Sequence, residues 1–261
     1  MPINIDGTDI SSATIDGENV SEITIDGQTV FTSIPDSAIH QWKFDEGAGT
    51  TVADSIGSAD GSVSGPAWVS GEYIGDNALN GDGTDDIVET TTLGSFGSNL
   101  GAGWSVALTV ENAGAGRFAV VNSSDRTLCE VSIGARNAGS LRLVLRRSDA
   151  STDGDSLDIE TTAGHLNDGN KHRAVWVSRD PSISGTEFWV DGSEVTGRTT
   201  EIDDLSGSTF SNFEYPWLWF ARNNDGSPDA HFDGIIDEPM MFDSGLSSSE
   251  IQSDYDRQPW S

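Results

Sequence analysis

Apolar and polar positions alternate along most of this chain, which predicts strands rather than helices. Trp104, Val106, Leu108 and Val110 fall on one face of a strand. Leu141, Leu143 and Leu145 share a face of another, with Arg142 and Arg146 opposite. In the run 171–178, KHRAVWVS, Ala174 and Trp176 take one side and Val175 and Val177 the other, the pattern of a strand buried on both faces. Phe188 and Val190 follow similarly, and Asp191-Gly192 ends that strand in a tight turn. Tyr215, Trp217 and Trp219 share a strand face, which reads as core rather than as a platform for a ligand. Clusters of Gly, Ser, Asn and Asp at 94–103, 112–116, 148–156, 203–212 and 223–229 punctuate the strands. Only 247–255 reads as helix, with Ser247 capping and Glu250 three residues later completing a capping box. The economical solution is all-β: a two-sheet antiparallel jelly-roll sandwich with a short C-terminal helix.

The first 33 residues follow a different rule. A ten-residue unit recurs as INIDGTDI, ATIDGENV and ITIDGQTV, with Asp-Gly at 6/7, 16/17 and 26/27. Each unit places β-favouring residues before an Asp-Gly and a β-branched residue three positions after the glycine, the grammar of a tight turn between very short strands. Units this small cannot bury a core alone. They are expected to pair with copies from other subunits or to dock on a larger assembly, with Ile5, Ile15, Ile25, Val20 and Val30 in the contacts; the bland alternative is an acidic leader of turn-like composition. Residues 34–38 form a linker in which Pro35 interrupts strand pairing. The domain division is therefore repeat 1–33, linker 34–38 and sandwich 39–261.

Charge changes the picture of where such a protein works. The chain carries 43 acidic against 13 basic residues, a formal net charge of -30, and Lys43 and Lys171 are its lysines. Self-repulsion on that scale weakens a compact state in dilute buffer, whereas molar salt shortens the Debye length to ~3 Å. A salt-loving source fits, and nucleic acid is excluded as a partner because phosphate contacts need clustered cations. No apolar run approaches the ~20 residues of a membrane span, so no membrane insertion is expected. The N-terminus lacks the basic and apolar regions of a secretory signal, which predicts synthesis and retention in a cytoplasm. Cys129, within LCEVSIG, alternates with Val131 and Ile133 and is expected to be a buried thiol.

Two segments near the ends, 39–63 (IHQWKFDEGAGTTVADSIGSADGSV) and 231–256 (HFDGIIDEPMMFDSGLSSSEIQSDYD), resemble the opening and closing strands of the laminin G-like, concanavalin A-like lectin fold. GDGTDDIVE at 81–89 and the hairpin 171–195 resemble its second strand and central hairpin. The Ile-Asp-Gly leader is similar in pattern to virion proteins of tailed viruses that infect halophilic archaea. The lectin resemblance implies a structural Ca²⁺ joining the early loop to the late strand, through Asp54, Asp60 and Asp237. Calcium takes six to eight oxygen ligands, and that loop offers carboxylates and free carbonyls. The loop departs from the family pattern, with Ile56, Ser58 and Ala59 in place of polar or amide residues.

Catalysis is expected to be absent. Retaining glucanases of this architecture carry two carboxylates ~5 to 5.5 Å apart, usually as Glu-x-Asp-x-x-Glu. Here Asp237 and Glu238 are adjacent and so point to opposite strand faces. His40, His165, His172 and His231 are scattered, with no nucleophile motif around them. Sugar recognition needs an aromatic face and hydrogen-bonding side chains, and the candidates are Trp68 in a loop and Arg222, Asn223, Asn224, Asp225 and Asp229 in the loop at 222–229. Arg142, Arg146 and Arg147 are expected to pair with carboxylates on a neighbouring strand, or to face another subunit. The functional expectation is a virion surface protein, assembled in the host cytoplasm as a trimer or pentamer. Its repeat would dock on capsid or tail proteins and its lectin-like domain would bind a host glycan or surface-layer glycoprotein. Two alternatives remain: a purely structural capsid or tail decoration, and an extracellular lectin or glycosidase.

Overall fold

A computed structural model of the chain describes residues 34–259, apart from 72, 92, 94–102, 112–115, 122–129, 137–138, 147–155, 204–216, 225–226 and 230, and the backbone of six short strands before residue 34. Backbone alone is described for 116–121, 130, 136, 146, 201, 222–224 and 227–229. Two antiparallel sheets dominate. The first runs Ala67–Ser70, Asn77–Asp82, Asp233–Phe242, Trp104–Glu111, Lys171–Ser178, Thr186–Val190, Ser193–Glu194, and the far end of Asp233–Phe242 also takes Ala38–Gln41. The second runs Arg198–Asp203, Ser156–Thr161, Ser140–Arg146, Glu130–Arg136, Gly116–Val121, Trp217–Trp219, Ile87–Thr90, Gly61–Ser64, Thr51–Val52. Early and late strands are thus neighbours, as the resemblance implies.

The alternation places the core between the sheets. Trp104, Val106, Leu108 and Val110 project from the first sheet and meet Leu141, Leu143, Leu145, Trp217 and Trp219 from the second in one buried cluster. Trp217 and Trp219 are fully buried, their rings 5.5 Å apart, and Trp219 meets Trp42 edge-on at 5.6 Å. They are core, as their shared face predicts. Arg142, on the opposite face, donates from Nε to Asp158 Oδ1 of the adjacent strand at 2.7 Å and from Nη2 to Oδ2, which confirms the expected ion pair. The side chains of Arg146 and Arg147, with Cys129 and Tyr215, lie outside the described residues.

The strand Lys171–Ser178 is apolar on both faces because each face has a cover. Ala174 and Trp176 look into the main core. Val175 and Val177 join Ala107, Met240 and Phe242 on the outer face, where Leu246 and Ile251 seal them. Ile251 belongs to the helix Ser248–Asp256, whose start is fixed by Ser247 and Glu250 in the predicted capping box. Among the described residues no helix is long and apolar enough to cross a membrane.

The same helix closes over a buried set of charges. Arg173 donates from Nε and Nη2 to Asp254 at 2.6 and 3.1 Å and from Nη1 to the Glu238 carbonyl at 2.9 Å. Arg257 donates to both Glu238 oxygens at 2.9 and 3.1 Å and to Asp254 at 2.6 Å. Gln41 Nε2 donates to Glu238 at 2.6 Å, so the opening strand is tied into the set as well. Burial would push the Glu238 and Asp254 carboxyls up, but the two guanidiniums hold both below their usual range.

Before residue 34 the backbone forms three hairpins: Asn4–Ile5 with Thr8–Asp9, Thr14–Ile15 with Glu18–Asn19, and Glu22–Ile25 with Gln28–Thr32. The two positions between the strands of each pair are the Asp-Gly dipeptides. Ile5, Ile15, Ile25 and Val30 sit in these strands; their side chains, and Val20 altogether, lie outside the described residues.

Candidate binding site

Two loops, one from each sheet, enclose a cleft of about 670 Å³ at one end of the sandwich. The first, 162–168, leaves the strand Ser156–Thr161. Its Leu166 is fully buried, and the N–H groups of His165 and Leu166 both donate to the Gly139 carbonyl, at 3.0 and 3.2 Å. The second follows Thr186–Val190 through Asp191-Gly192, whose φ values of 51° and 72° are those of the predicted tight hairpin turn. The Thr162 N–H donates to Gly197 O at 3.0 Å and closes the far wall.

His172 links the two loops. Its Nδ1 lies 2.8 Å from Asp191 Oδ2 and its Nε2 2.9 Å from Asp168 Oδ1. Each carboxylate is itself held: Asp191 Oδ1 accepts the Arg173 N–H at 2.9 Å, and Asp168 accepts from the backbone and side chain of Asn170 at 2.9 and 2.8 Å. The Asp191 contact first, then Asp168, raises the His172 pKa against the opposing effect of burial. The hydrogen bond from His172 in turn lowers the Asp168 carboxyl to about 2. His165, Asn167, Ser193, Glu194 and Thr196 complete a polar lining.

This arrangement has a pH signature with a definite sign. His172 titrates higher in the fold than the ~6.5 of an unfolded chain, so its ion pairs contribute fully below about pH 6.5 and are lost as pH rises through the folded value. Asp168 behaves oppositely, contributing above ~3.9 and losing its effect as pH falls towards about 2. Melting temperature is therefore expected to decline as pH rises above about 6.5, and His172→Gln is expected to flatten that decline. An unchanged slope in the variant would show that other groups set it.

Of the residues expected from the sequence to bind sugar, those whose side chains are described do not line this cleft. Trp68, on the edge strand Ala67–Ser70, packs against the core and donates its indole N–H to Gly49 O at 3.0 Å, so its ring is a lid on the sandwich rather than a platform in this cleft. The backbone of Arg222–Asn224 pairs with Ser227–Asp229 in a small hairpin. The side chains of Arg222, Asn223, Asn224 and Asp229, and Asp225 altogether, lie outside the described residues. The cleft itself had one sequence signal that was passed over: the turn Asn167-Asp168-Gly169-Asn170 immediately before the buried strand, a loop of hydrogen-bonding side chains at a sheet end.

The expected calcium ligands do not converge. Asp54 is buried, and its two oxygens accept from the N–H groups of Gln41, Ile56, Gly57 and Ala59 at 2.9 to 3.2 Å and from His40 Nδ1 at 2.6 Å. Asp60 Oδ1 accepts the Asp54 N–H at 2.9 Å. Asp237 is fully buried on the first sheet, where Oδ2 accepts the Ile74 N–H at 3.0 Å and burial, then Glu238, pushes its carboxyl well up. A carboxylate already saturated by N–H donors and one whose ionised form burial disfavours are poor ligands for a hard cation, so the donor set does not fit Ca²⁺. Among the described residues the three carboxylates that do approach within 4.8 Å of one another are Asp82, Asp85 and Asp86.

No protein-family model matches the chain, and no curated protein matches it. Solved structures do. Trypanosoma rangeli sialidase in complex with the inhibitor DANA aligns with a TM-score of 0.59 at 13% identity, over 90% of this chain and 35% of the sialidase. Domain 4 of AbnA, a GH43 extracellular arabinanase from Geobacillus stearothermophilus, in complex with arabinotriose, gives 0.59 at 17% identity, over 84% of this chain and 99% of that domain. The binding domain of Paraclostridial Mosquitocidal Protein 1 gives 0.56 at 12%, over 84% of this chain and 51% of that one. The chain spans about a third of the sialidase chains it matches. At these identities the likeness establishes the fold, a β-sandwich consistent with the concanavalin A-like jelly roll. It also corrects one expectation. The missing carboxylate spacing led to a non-enzyme, yet the matched chains are a sialidase and part of an arabinanase, so the fold is an enzyme-associated one.

Proposed function

We propose that the sandwich is a carbohydrate-binding domain and that the cleft around His172 receives the sugar. The observation that carries this reading is the cleft itself: about 670 Å³ at the loop end of a rigid sandwich, lined by amide, hydroxyl, imidazole and carboxylate groups suited to sugar hydroxyls. The complex of a domain of the same fold and extent with arabinotriose supports it. Binding of the full chain to a glycan array in about 2 M NaCl tests it; no retained glycan above background rejects it.

The wider setting we propose is display on the surface of a virion from a salt-rich habitat, with attachment to a host glycan or surface-layer glycoprotein. The acidic composition and the three leader hairpins support this, since two-stranded hairpins are marginal alone and gain by pairing with copies of themselves. Sugar sites that are individually weak gain avidity when several act together. Light scattering in high salt is expected to give a defined oligomer for the full chain and a monomer for a chain beginning at Ile34. A monomer from both rejects the assembly role. A second reading, a module of a secreted glycan-active protein, is favoured by the sialidase and arabinanase matches, and sugar release from bound glycans would support it.

A further inference from the structure

We infer that the cleft selects neutral sugars and rejects those bearing a carboxylate or sulfate. The inference rests on the carbohydrate-binding reading and goes beyond it by naming the ligand class. Three carboxylates line the cleft: Asp168 and Asp191, with side chains 55% and 32% exposed, and Glu194 at 36%. Among the described residues no lysine or arginine is in the lining. Anionic sugars are held through charge-assisted donors, above all the arginine fork that grips a carboxylate with two parallel N–H groups.

Among the described residues, the cations that flank the lining in sequence are turned to other work. Lys171 places Nζ 4.6 Å over the Tyr73 ring. Arg198 donates from Nη1 to the carbonyls of Ile183 and Thr186 and lies 3.6 Å from Glu194. Arg173 is buried under the C-terminal helix. His172 is the basic side chain within the lining, and both of its ring nitrogens already face carboxylates. An incoming anion would meet the carboxylates of Asp168, Asp191 and Glu194, and apart from His172 the donors of the described lining are neutral hydroxyl and amide groups, so no free guanidinium or ammonium offsets the repulsion. A hydroxyl meets the reverse situation, since Asp168 and Glu194 accept and the exposed Asn167 amide both donates and accepts.

Titration calorimetry of the full chain in about 1 M NaCl tests this with matched probes: arabinotriose, lactose and maltotriose against 3′-sialyllactose, trigalacturonate and sulfated lactose. The expected result is that at least one neutral probe binds and that each acidic probe is at least tenfold weaker. Asn167→Ala, on an exposed loop, is expected to weaken the neutral binder at least tenfold without moving the melting temperature. Asp168→Asn with Glu194→Gln is expected to narrow the gap between neutral and acidic probes. An acidic probe that binds as well as or better than its neutral counterpart overturns the selectivity. Binding indifferent to both variants overturns the location while leaving carbohydrate recognition standing. Silence from every probe in the calorimeter and on the array removes the carbohydrate reading, and this inference with it.

Discussion

Replacing Arg173 with leucine is expected to lower the stability of the fold by about 3–5 kcal/mol, the range for removing one partner of a buried charge pair. The guanidinium has 1% exposure and spends its donors on Asp254 and the Glu238 carbonyl. In its absence Arg257 alone faces Glu238 and Asp254, so one buried negative charge is left over, next to an Asp237 that burial already disfavours as an ion. Asp237 Oδ1 has no hydrogen-bond partner among the described residues, and the unpaired donor in the set, Arg257 Nε, belongs to the cation that both remaining carboxylates already share. Denaturant unfolding in low and in molar salt measures the loss. Because the set is buried, molar salt is expected to rescue little of it. The pH dependence carries a second sign: without Arg173 the two carboxylates titrate higher in the folded state, so the deficit against the natural chain should shrink as pH falls and they protonate. A loss below about 1 kcal/mol, or full rescue by salt, would show that the network is a surface feature in solution.

The contrast between what was legible in the sequence and what was not follows from the range of the interactions. Alternation is local, so the inward faces of Trp104, Val106 and Leu108, of Leu141 to Leu145, and of Trp217 and Trp219 could be assigned from neighbours two residues apart. The two-faced pattern of 171–178 could be read as double burial, but not what covered its outer face. That cover is the helix Ser248–Asp256, more than seventy residues away, and the same long-range contact makes Arg173 a core residue. The Ser247–Glu250 capping box is local and was readable. The candidate cleft joins 162–168 to 191–197 through His172, and a lone histidine in sequence says nothing of the carboxylates that fold beside it. The expected calcium ligands misfit on the same ground: a cluster of acidic residues in sequence does not reveal which of them spend their oxygens on backbone N–H groups, as Asp54 does.

Asp54→Ala puts that last distinction to a test. Removing the carboxylate strands four N–H donors, of Gln41, Ile56, Gly57 and Ala59, together with the His40 ring. Each unmet buried group costs about 1–3 kcal/mol, and because part of the 55–60 loop is open to water, a total of about 3–4 kcal/mol is expected. The fit around this anchor is close: a Cβ on Gly57 would lie 2.4 Å from His40 Nδ1 and 2.5 Å from Asp54 Oδ2, so Gly57→Ala should also destabilise, by about 1–3 kcal/mol from overpacking. Burial alone would raise the Asp54 carboxyl, but the hydrogen bonds from His40, Ala59, Gln41 and Gly57 outweigh it and hold the group well below the ordinary range. Its contribution is therefore present above about pH 3.9 and fades only as pH falls through the lower folded value, so the gap between Asp54→Ala and the natural chain should persist through mild acid and close in strong acid. Melting curves with Ca²⁺ and with chelator decide between the two roles. If the anchor acts through N–H donors, the loss is the same in both. If chelator destabilises the natural chain and leaves Asp54→Ala unmoved, the carboxylate is a metal ligand after all, and the account of a self-capped loop falls.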